Sequence, residues 1–188
     1  MTLGLLDLQT SGAKAGRVKR TAMSLSTIIS GGQTGADRAA LDWAIFRDVP
    51  HGGWCPKGRK AEDGIIPARY ELQETQTANY LERTERNVIE SDGTIIFTMS
   101  APLAGGSKRT ADFAKKHGKP WLHLYPGASY EPERVLLDFI NEHNIAVLNV
   151  AGSRASKEPE LAAWVKRVLE GAFFPVPSSP MLCGPGEG

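Results

Sequence analysis

Thr27-Ile28-Ile29-Ser30-Gly31-Gly32-Gln33-Thr34-Gly35-Ala36-Asp37 is a β-branched run that breaks into glycines and resumes as a helix with Ala36, Ala40, Trp43 and Ala44 on one face. The change from strand-like to 3.6-residue periodicity across a glycine turn is the signature of a βα unit. The same sentence of chain is written again downstream. Thr94-Ile95-Ile96-Phe97-Thr98-Met99 is followed by Gly105-Gly106-Ser107 and a helix that ends at His117-Gly118-Lys119-Pro120. Trp121-Leu122-His123-Leu124-Tyr125 precedes a helix opened by Pro132 and striped with Val135, Leu136, Phe139 and Ile140. Ile145-Ala146-Val147-Leu148-Asn149-Val150 leads through Ala151-Gly152-Ser153-Arg154 to a last helix carrying Leu161, Trp164, Val165 and Val168.

These strands are nearly continuous apolar runs, so helices cover both of their faces. Strands that alternate with helices imply right-handed crossovers and an open, mostly parallel sheet. The expected fold class is therefore α/β and Rossmann-like, with helices on both faces of the sheet. In such sheets ligands bind beyond the carboxyl ends of the strands, where strand order reverses. The stretch from Val49 to Glu74 fits poorly, because Gly52, Gly53, Pro56, Gly58, Gly64 and Pro67 interrupt any helix. It reads as a short strand near Gly53-Trp54-Cys55 followed by an irregular excursion, and Thr77 to Glu90 reads as a helix with Arg83 and Asn87 on one face.

The composition bounds what the domain does. The 188 residues carry 22 basic and 21 acidic side chains, so no global field draws the chain to nucleic acid or to an anionic membrane. No apolar run approaches the roughly 20 residues that span a bilayer. The two cysteines, Cys55 and Cys183, form neither a disulfide framework nor a zinc pattern, so no structural metal is expected and a reducing, cytoplasmic compartment fits. Cys55 reads as a small buried apolar residue. The sequence divides into a disordered basic tail at 1–26, a single ligand-binding domain at 27–171 and a Pro/Gly-rich disordered tail at 172–188. The first tail also admits a presequence, or a true start at Met23.

Three loops carry chemistry. In the first, Gly31, Gly32 and Gly35 let the backbone approach a ligand, Gln33, Thr34 and Asp37 supply polar groups, and the helix start favours an anion. It is neither a G-x-G-x-x-G fingerprint nor a P-loop, and on these residues alone a tight turn capped by Thr34 or Asp37 is an equal reading. The second, Gly105, Gly106, Ser107, Lys108, Arg109 and Thr110, repeats that logic with added positive charge. The third holds Asn149, Gly152, Ser153 and Arg154. Three such loops at strand ends favour a shared site for a small anionic ligand. Arg83 and Arg86 read either as a solvated face or as a further wall. His117 and His143 fit helix C-termini, and His123 fits a core imidazole. No catalytic constellation is evident, and the carboxylates expected near the crevice, Asp37, Asp92 and Asp112, each read equally as caps.

At these loops the chain resembles a known family, the proposed molybdenum cofactor carriers, a Rossmann-like branch related to the lysine-decarboxylase-like phosphoribohydrolases. The resemblance runs from about Ile28 to Trp164. It rests on Ile29 to Arg38, on Gly53-Trp54-Cys55-Pro56-Lys57-Gly58-Arg59 with Glu62-Asp63-Gly64, and on Arg83-Thr84-Glu85-Arg86-Asn87-Val88. It continues through Ser91-Asp92-Gly93-Thr94, Gly105 to Thr110 and Leu148 to Arg154. It implies a binding and carrier protein for the molybdenum cofactor (molybdopterin), a pterin phosphate bearing an oxo-metal, or for a related oxyanion. Cofactor-synthesis proteins or molybdoenzymes would be its partners and a homo-oligomer its state, and Arg83 and Arg86 become pocket residues. The enzymatic branch, which cleaves nucleoside monophosphates at the N-glycosidic bond, carries P-G-G-x-G-T-x-x-E. This chain departs from that pattern with Ala104, Lys108, Arg109 and Asp112, so Asp112 would be the catalytic group if the chain were such a hydrolase. A nucleotide-sensing module without turnover is the third reading.

Overall fold

The computed structural model describes residues 25–175. The chain runs β1 (Thr27–Ile29), α1 (Ala36–Phe46), β2 (His51–Gly52), β3 (Trp54–Cys55), β4 (Lys60–Ala61), β5 (Gly64–Ile65), β6 (Gln73–Glu74), α2 (Tyr80–Glu90) and β7 (Gly93–Phe97). It continues through α3 (Gly105–Lys116), β8 (Trp121–Leu124), α4 (Pro132–Glu142), β9 (Val147–Gly152) and α5 (Leu161–Phe173). Five strands form one sheet in the order β2-β1-β9-β7-β8, and every pairing in it is parallel. The Rossmann-like expectation holds.

The strand order shows how the chain has been rearranged. Read from β9 through β1 and β2 and then to β7 and β8, the sheet is a doubly wound 3-2-1-4-5 arrangement, yet the strand in position 1 comes last in sequence. The chain thus follows the usual sheet with its first βα unit moved to the carboxyl end. The switch point lies between β9 and β7. There β9 leads to α5, which packs with α1 and α4 on one face, while β7 leads to α3, which packs with α2 on the other.

Alternation along the strands divides the core. Ile95 and Phe97 of β7 join Leu148 and Val150 of β9 and Trp164, Val165 and Val168 of α5 in the main cluster, with the Phe97 and Trp164 rings edge to face at 5.4 Å. Ile96, equally buried, lies outside that cluster. The predicted α1 face of Ala36, Ala40, Trp43 and Ala44 is buried whole; in α4, Leu136, Phe139 and Ile140 are buried and Val135 packs at the edge.

Some boundaries moved, for local reasons. The helix expected from Thr77 starts at Tyr80, because Asn79 caps it with Oδ1 accepting from the Leu81 N–H at 2.9 Å. The strand expected at Ile145–Val150 is Val147–Gly152, since Ala151 and Gly152 pair with Ile96 and Phe97. The stretch near Gly53 splits between two sheets. His51–Gly52 joins the main sheet, Gly53 turns the chain at φ 119°, and Trp54–Cys55 pairs with β6. Any side chain at Gly53 would meet the Ser30 backbone nitrogen at 2.7 Å. The excursion buries a second core of Leu41, Cys55, Ile66, Tyr70 and Leu72, and burial pushes the Cys55 thiol pKa up. The last helix runs to Phe173, and the rest of both expected tails lies outside the described residues.

His123, expected as a core imidazole, is half-buried at the edge strand β8 and has a hydrogen-bond partner. The Thr98 hydroxyl donates to the Ser100 carbonyl at 2.7 Å, which leaves its oxygen to accept from His123 Nε2 at 2.7 Å. Burial holds the His123 pKa below its ordinary 6.5, despite the opposing field of Glu158. A base depressed in the folded state favours folding fully above its unfolded pKa, and that contribution is lost as pH falls from 6.5 through the folded value. An NMR titration should place the His123 midpoint below 6.5; a midpoint at or above it would contradict this burial.

Candidate functional site

The crevice at the switch point is built from two of the three predicted loops. A cavity of about 260 Å³ is lined by Ala104, Gly106, Ser107, Gly152, Ser153, Arg154 and Lys157. On one side is the start of α3, which no side chain caps. The first N–H groups of a helix lack intrahelical partners and lie at the positive end of its dipole. On the other side the chain leaves β9 and folds into a tight turn, in which the Lys157 and Glu158 N–H groups both donate to the Arg154 carbonyl at 3.0 Å. That turn is bolted down. The Met99 N–H donates to Glu158 at 2.9 Å, the Ala155 N–H to Thr34 Oγ1 at 3.2 Å, and the Ser156 N–H and hydroxyl to Glu62 at 3.2 and 2.5 Å.

Two cations project from the turn. Lys157 Nζ stands 3.8 Å from where a Cβ on Gly105 would be, over the α3 N-terminus, and the Arg154 guanidinium lies over the Tyr80 ring at 5.4 Å. Among the described residues neither forms an ion pair, and no carboxylate lines the cavity. Unpaired cations beside a free helix N-terminus attract an anion with several acceptor oxygens. Among the described residues no cluster of three His, Cys, Asp or Glu side chains could hold a metal ion, and no helix is long and apolar enough to cross a membrane.

The glycine-rich first loop does not line this cavity; side chains pack against its glycines, while Gln33 Nε2 and Arg83 Nε are buried there without a hydrogen-bond partner among the described residues. A Cβ on Gly31 would land on the Arg83 guanidinium, and one on Gly32 would meet Ile66 Cδ1 at 3.1 Å. Gly35, at φ 82°, turns the chain into α1, where the Ala36 N–H donates to the Ser153 carbonyl at 3.2 Å and a Cβ on Gly35 would lie 2.8 Å from the Ala155 nitrogen. Gln33 is buried, and its Oε1 accepts from the Thr34 and Glu62 N–H groups at 3.1 and 3.0 Å. The Thr34 hydroxyl donates to Glu62. Burial pushes Glu62 up, but the hydrogen bonds from Ser156 and Thr34 hold its carboxyl below the usual range. The loop is thus the foundation on which the Arg154–Lys157 turn stands.

Asp37 is the buried centre of that foundation. Its Oδ2 accepts from the Gln33 N–H at 3.2 Å and from Arg83 Nη1 at 3.1 Å. Burial raises its pKa, and Arg83 opposes the rise. Arg83 therefore points inward, while Arg86 lies over the Trp54 ring at 4.5 Å and faces Glu82 at 3.6 Å.

The remaining expected residues divide. Gly106, Ser107, Gly152, Ser153 and Arg154 meet in the cavity. Asn149 does not; it lies inside the sheet, donating from Nδ2 to Thr94 Oγ1 at 3.1 Å. Thr110 is turned into its own helix, donating to the Gly106 carbonyl at 3.1 Å, and Arg109 is exposed. Lys108 and Asp112 pair with each other on the exposed flank of α3 at 2.9 Å, outside the cavity lining, and that hydrogen bond lowers the Asp112 pKa. The expectation that Asp92 sits near the crevice is corrected. It precedes β7 at the opposite end of the sheet, where it accepts from the Ala146 and Val147 N–H groups at 3.0 and 2.8 Å. Lys157 and Tyr80 were missed. A lysine three positions beyond Arg154 was a visible signal, whereas Tyr80 reaches the site only through folding.

A larger groove of about 430 Å³ lies elsewhere, between α1 and α5, lined by Asp42, Trp43, Phe46, Lys166, Arg167 and Glu170. Arg47 and the Trp43 indole nitrogen bind Glu170 at its margin, and no strand end reaches it.

Comparison with known proteins agrees with the topology. No curated protein matches the chain significantly. A crystal structure of a proposed molybdenum carrier protein from Syntrophus aciditrophicus SB is similar at 46% identity, over 79% of this chain and 95% of that one, with a TM-score of 0.77. A structure of (E)-4-hydroxy-3-methyl-but-2-enyl diphosphate reductase aligns at 9% identity over 79% of this chain and 63% of that one, with a TM-score of 0.32, too slight a likeness to carry an argument. The family model described as the circularly permutated YpsA SLOG family matches residues 28–173, which contain every strand of the sheet from Ile28 of β1 to β9, and the chain belongs to that family.

Proposed function

We propose that the chain is a binding and carrier protein for the molybdenum cofactor, holding that ligand by its phosphate and storing it or passing it on. The observation that carries this reading is the pairing of the uncapped α3 N-terminus with the unpaired cations Arg154 and Lys157 in one crevice. The similarity to a protein named for carrying molybdenum supports the choice of ligand. The donors present fit a phosphate: backbone N–H groups, an ammonium and a guanidinium, with no carboxylate in the lining. Among the described residues no carboxylate, histidine or cysteine lines the crevice, and the reading is of carriage and not turnover. In this reading the chain works in the cytoplasm, as a homo-oligomer, between cofactor-synthesis proteins and molybdoenzymes.

Purified protein mixed with released cofactor and passed over a sizing column should retain molybdenum and pterin above a control protein of similar size; no retention would sink the carrier role. A hydrogen bond to a charged group contributes roughly 1.5–3 kcal/mol. Lys157→Ala should therefore weaken binding of a phosphate-bearing ligand about tenfold or more, with unchanged denaturant stability because Lys157 is exposed. An unaltered dissociation constant would place the anion elsewhere.

A further inference from the structure

The two cations of the crevice are held differently, and that difference divides the site. Lys157 stands over the α3 N-terminus as a point charge. Arg154 is laid against an aromatic ring, 5.4 Å from the centroid of Tyr80, at the first position of α2. At that distance the guanidinium is held by cation–π attraction to the ring, and the exposed Arg154 side chain keeps its remaining surface open to a second flat group. Tyr80 is about one-third exposed, so the pair lies at the crevice mouth and not in the core.

We infer that the site is bipartite: Lys157 and the α3 N-terminus take a phosphate, while Arg154, positioned by Tyr80, stacks on a planar heterocycle joined to it. The inference rests on the anion reading above and narrows it, since it excludes a bare inorganic oxyanion as the preferred ligand. Tyr80 acts here through Arg154 and is a positioning residue. Its role is geometric. A leucine at this position would leave Arg154 its charge and remove the ring that holds it.

The test uses guanosine 5′-monophosphate, whose base shares the 2-amino-4-oxopyrimidine ring of a pterin, and ribose 5-phosphate, which keeps the phosphate and lacks the ring. Calorimetric titration of the full chain should show the nucleotide binding about tenfold more tightly, the scale of one stacked base. Tyr80→Leu and Arg154→Lys should each bring that preference toward unity, and Tyr80→Phe should keep it. Tyr130→Leu, at a fully exposed site away from the crevice lining, should leave it unaltered. Equal binding of the two ligands by the native chain, or a preference that survives Tyr80→Leu, overturns the ring assignment and leaves the anion reading standing. Binding of neither ligand overturns both.

Discussion

Arg83→Met is expected to lower the folding free energy by about 3–5 kcal/mol, the cost of leaving one partner of a buried ion pair without the other. Arg83 and Asp37 side chains are only 13% and 5% exposed, and their contact of 3.1 Å lies beneath the loop that supports the crevice. The guanidinium also occupies the space above Gly31 where any Cβ would fall. The substitution therefore leaves the Asp37 carboxylate buried and unpaired, with only the Gln33 N–H close at hand. Asp37→Asn added to Arg83→Met should recover part of the loss, because it removes the stranded charge.

The pH dependence has a definite sign. Burial already holds the Asp37 pKa above 3.8, and losing Arg83 removes the largest opposing influence. An acid with a raised folded pKa binds its proton more tightly in the folded state, so folding gains as pH falls through that value. The penalty of Arg83→Met should be greatest near neutrality and shrink in acid. Denaturant midpoints at several pH values would measure it, and a loss below about 1 kcal/mol at neutral pH would show that the pair is not the centre of the loop's stability.

Gly152→Val should be the more damaging change, enough to prevent folding or to cost more than the roughly 1–3 kcal/mol of ordinary overpacking. Gly152 ends β9 opposite Phe97, and a Cβ there would fall on the Phe97 carbonyl oxygen, 2.6 Å from the Ala36 Cβ. The main chain of β7, the end of β9 and the first residue of α1 meet at this point, so no flexible side chain is free to yield. Gly152→Ala should show the same effect in milder form, measurable as a lower denaturant midpoint. Ala36→Gly should rescue it only in part, since the Phe97 carbonyl remains in the way. Full rescue would mean that the side-chain contact, and not the backbone one, sets the requirement for glycine.

Both residues show where the sequence could be read and where it could not. The β-branched run at Thr27–Ile29, the apolar runs of β7, β8 and β9, and the helical stripes of α1, α4 and α5 were legible because each signal is local. An apolar periodicity specifies its own element, and parallel strands buried on both faces announce themselves by continuous hydrophobicity. The loops at Gly105–Ser107 and Gly152–Arg154 were legible for the same reason: glycine and hydroxyl residues at a strand end bear on what the backbone there can approach. Arg83 was not. Its spacing on α2 fits a solvated face as well as an inward one, and only the packing of that helix over the Gly31 turn directs its guanidinium onto Asp37.

By itself, then, the sequence determined the alternation of strands and helices, the open parallel sheet that follows from it, and the presence of glycine- and hydroxyl-rich loops at strand ends. The tertiary structure decided which of those loops meet. Strand order depends on pairings between residues more than a hundred positions apart, such as Ile28 with Leu148, and no local propensity encodes them. Because β9 inserts between β1 and β7, its loop and that of β7 part to opposite faces and open the crevice, while the glycine-rich loop after β1 is pressed behind them as support. The same insertion brings Lys157 over α3 and Arg154 against Tyr80, and it leaves Asn149 and Asp92 in structural roles that their positions in the chain did not reveal.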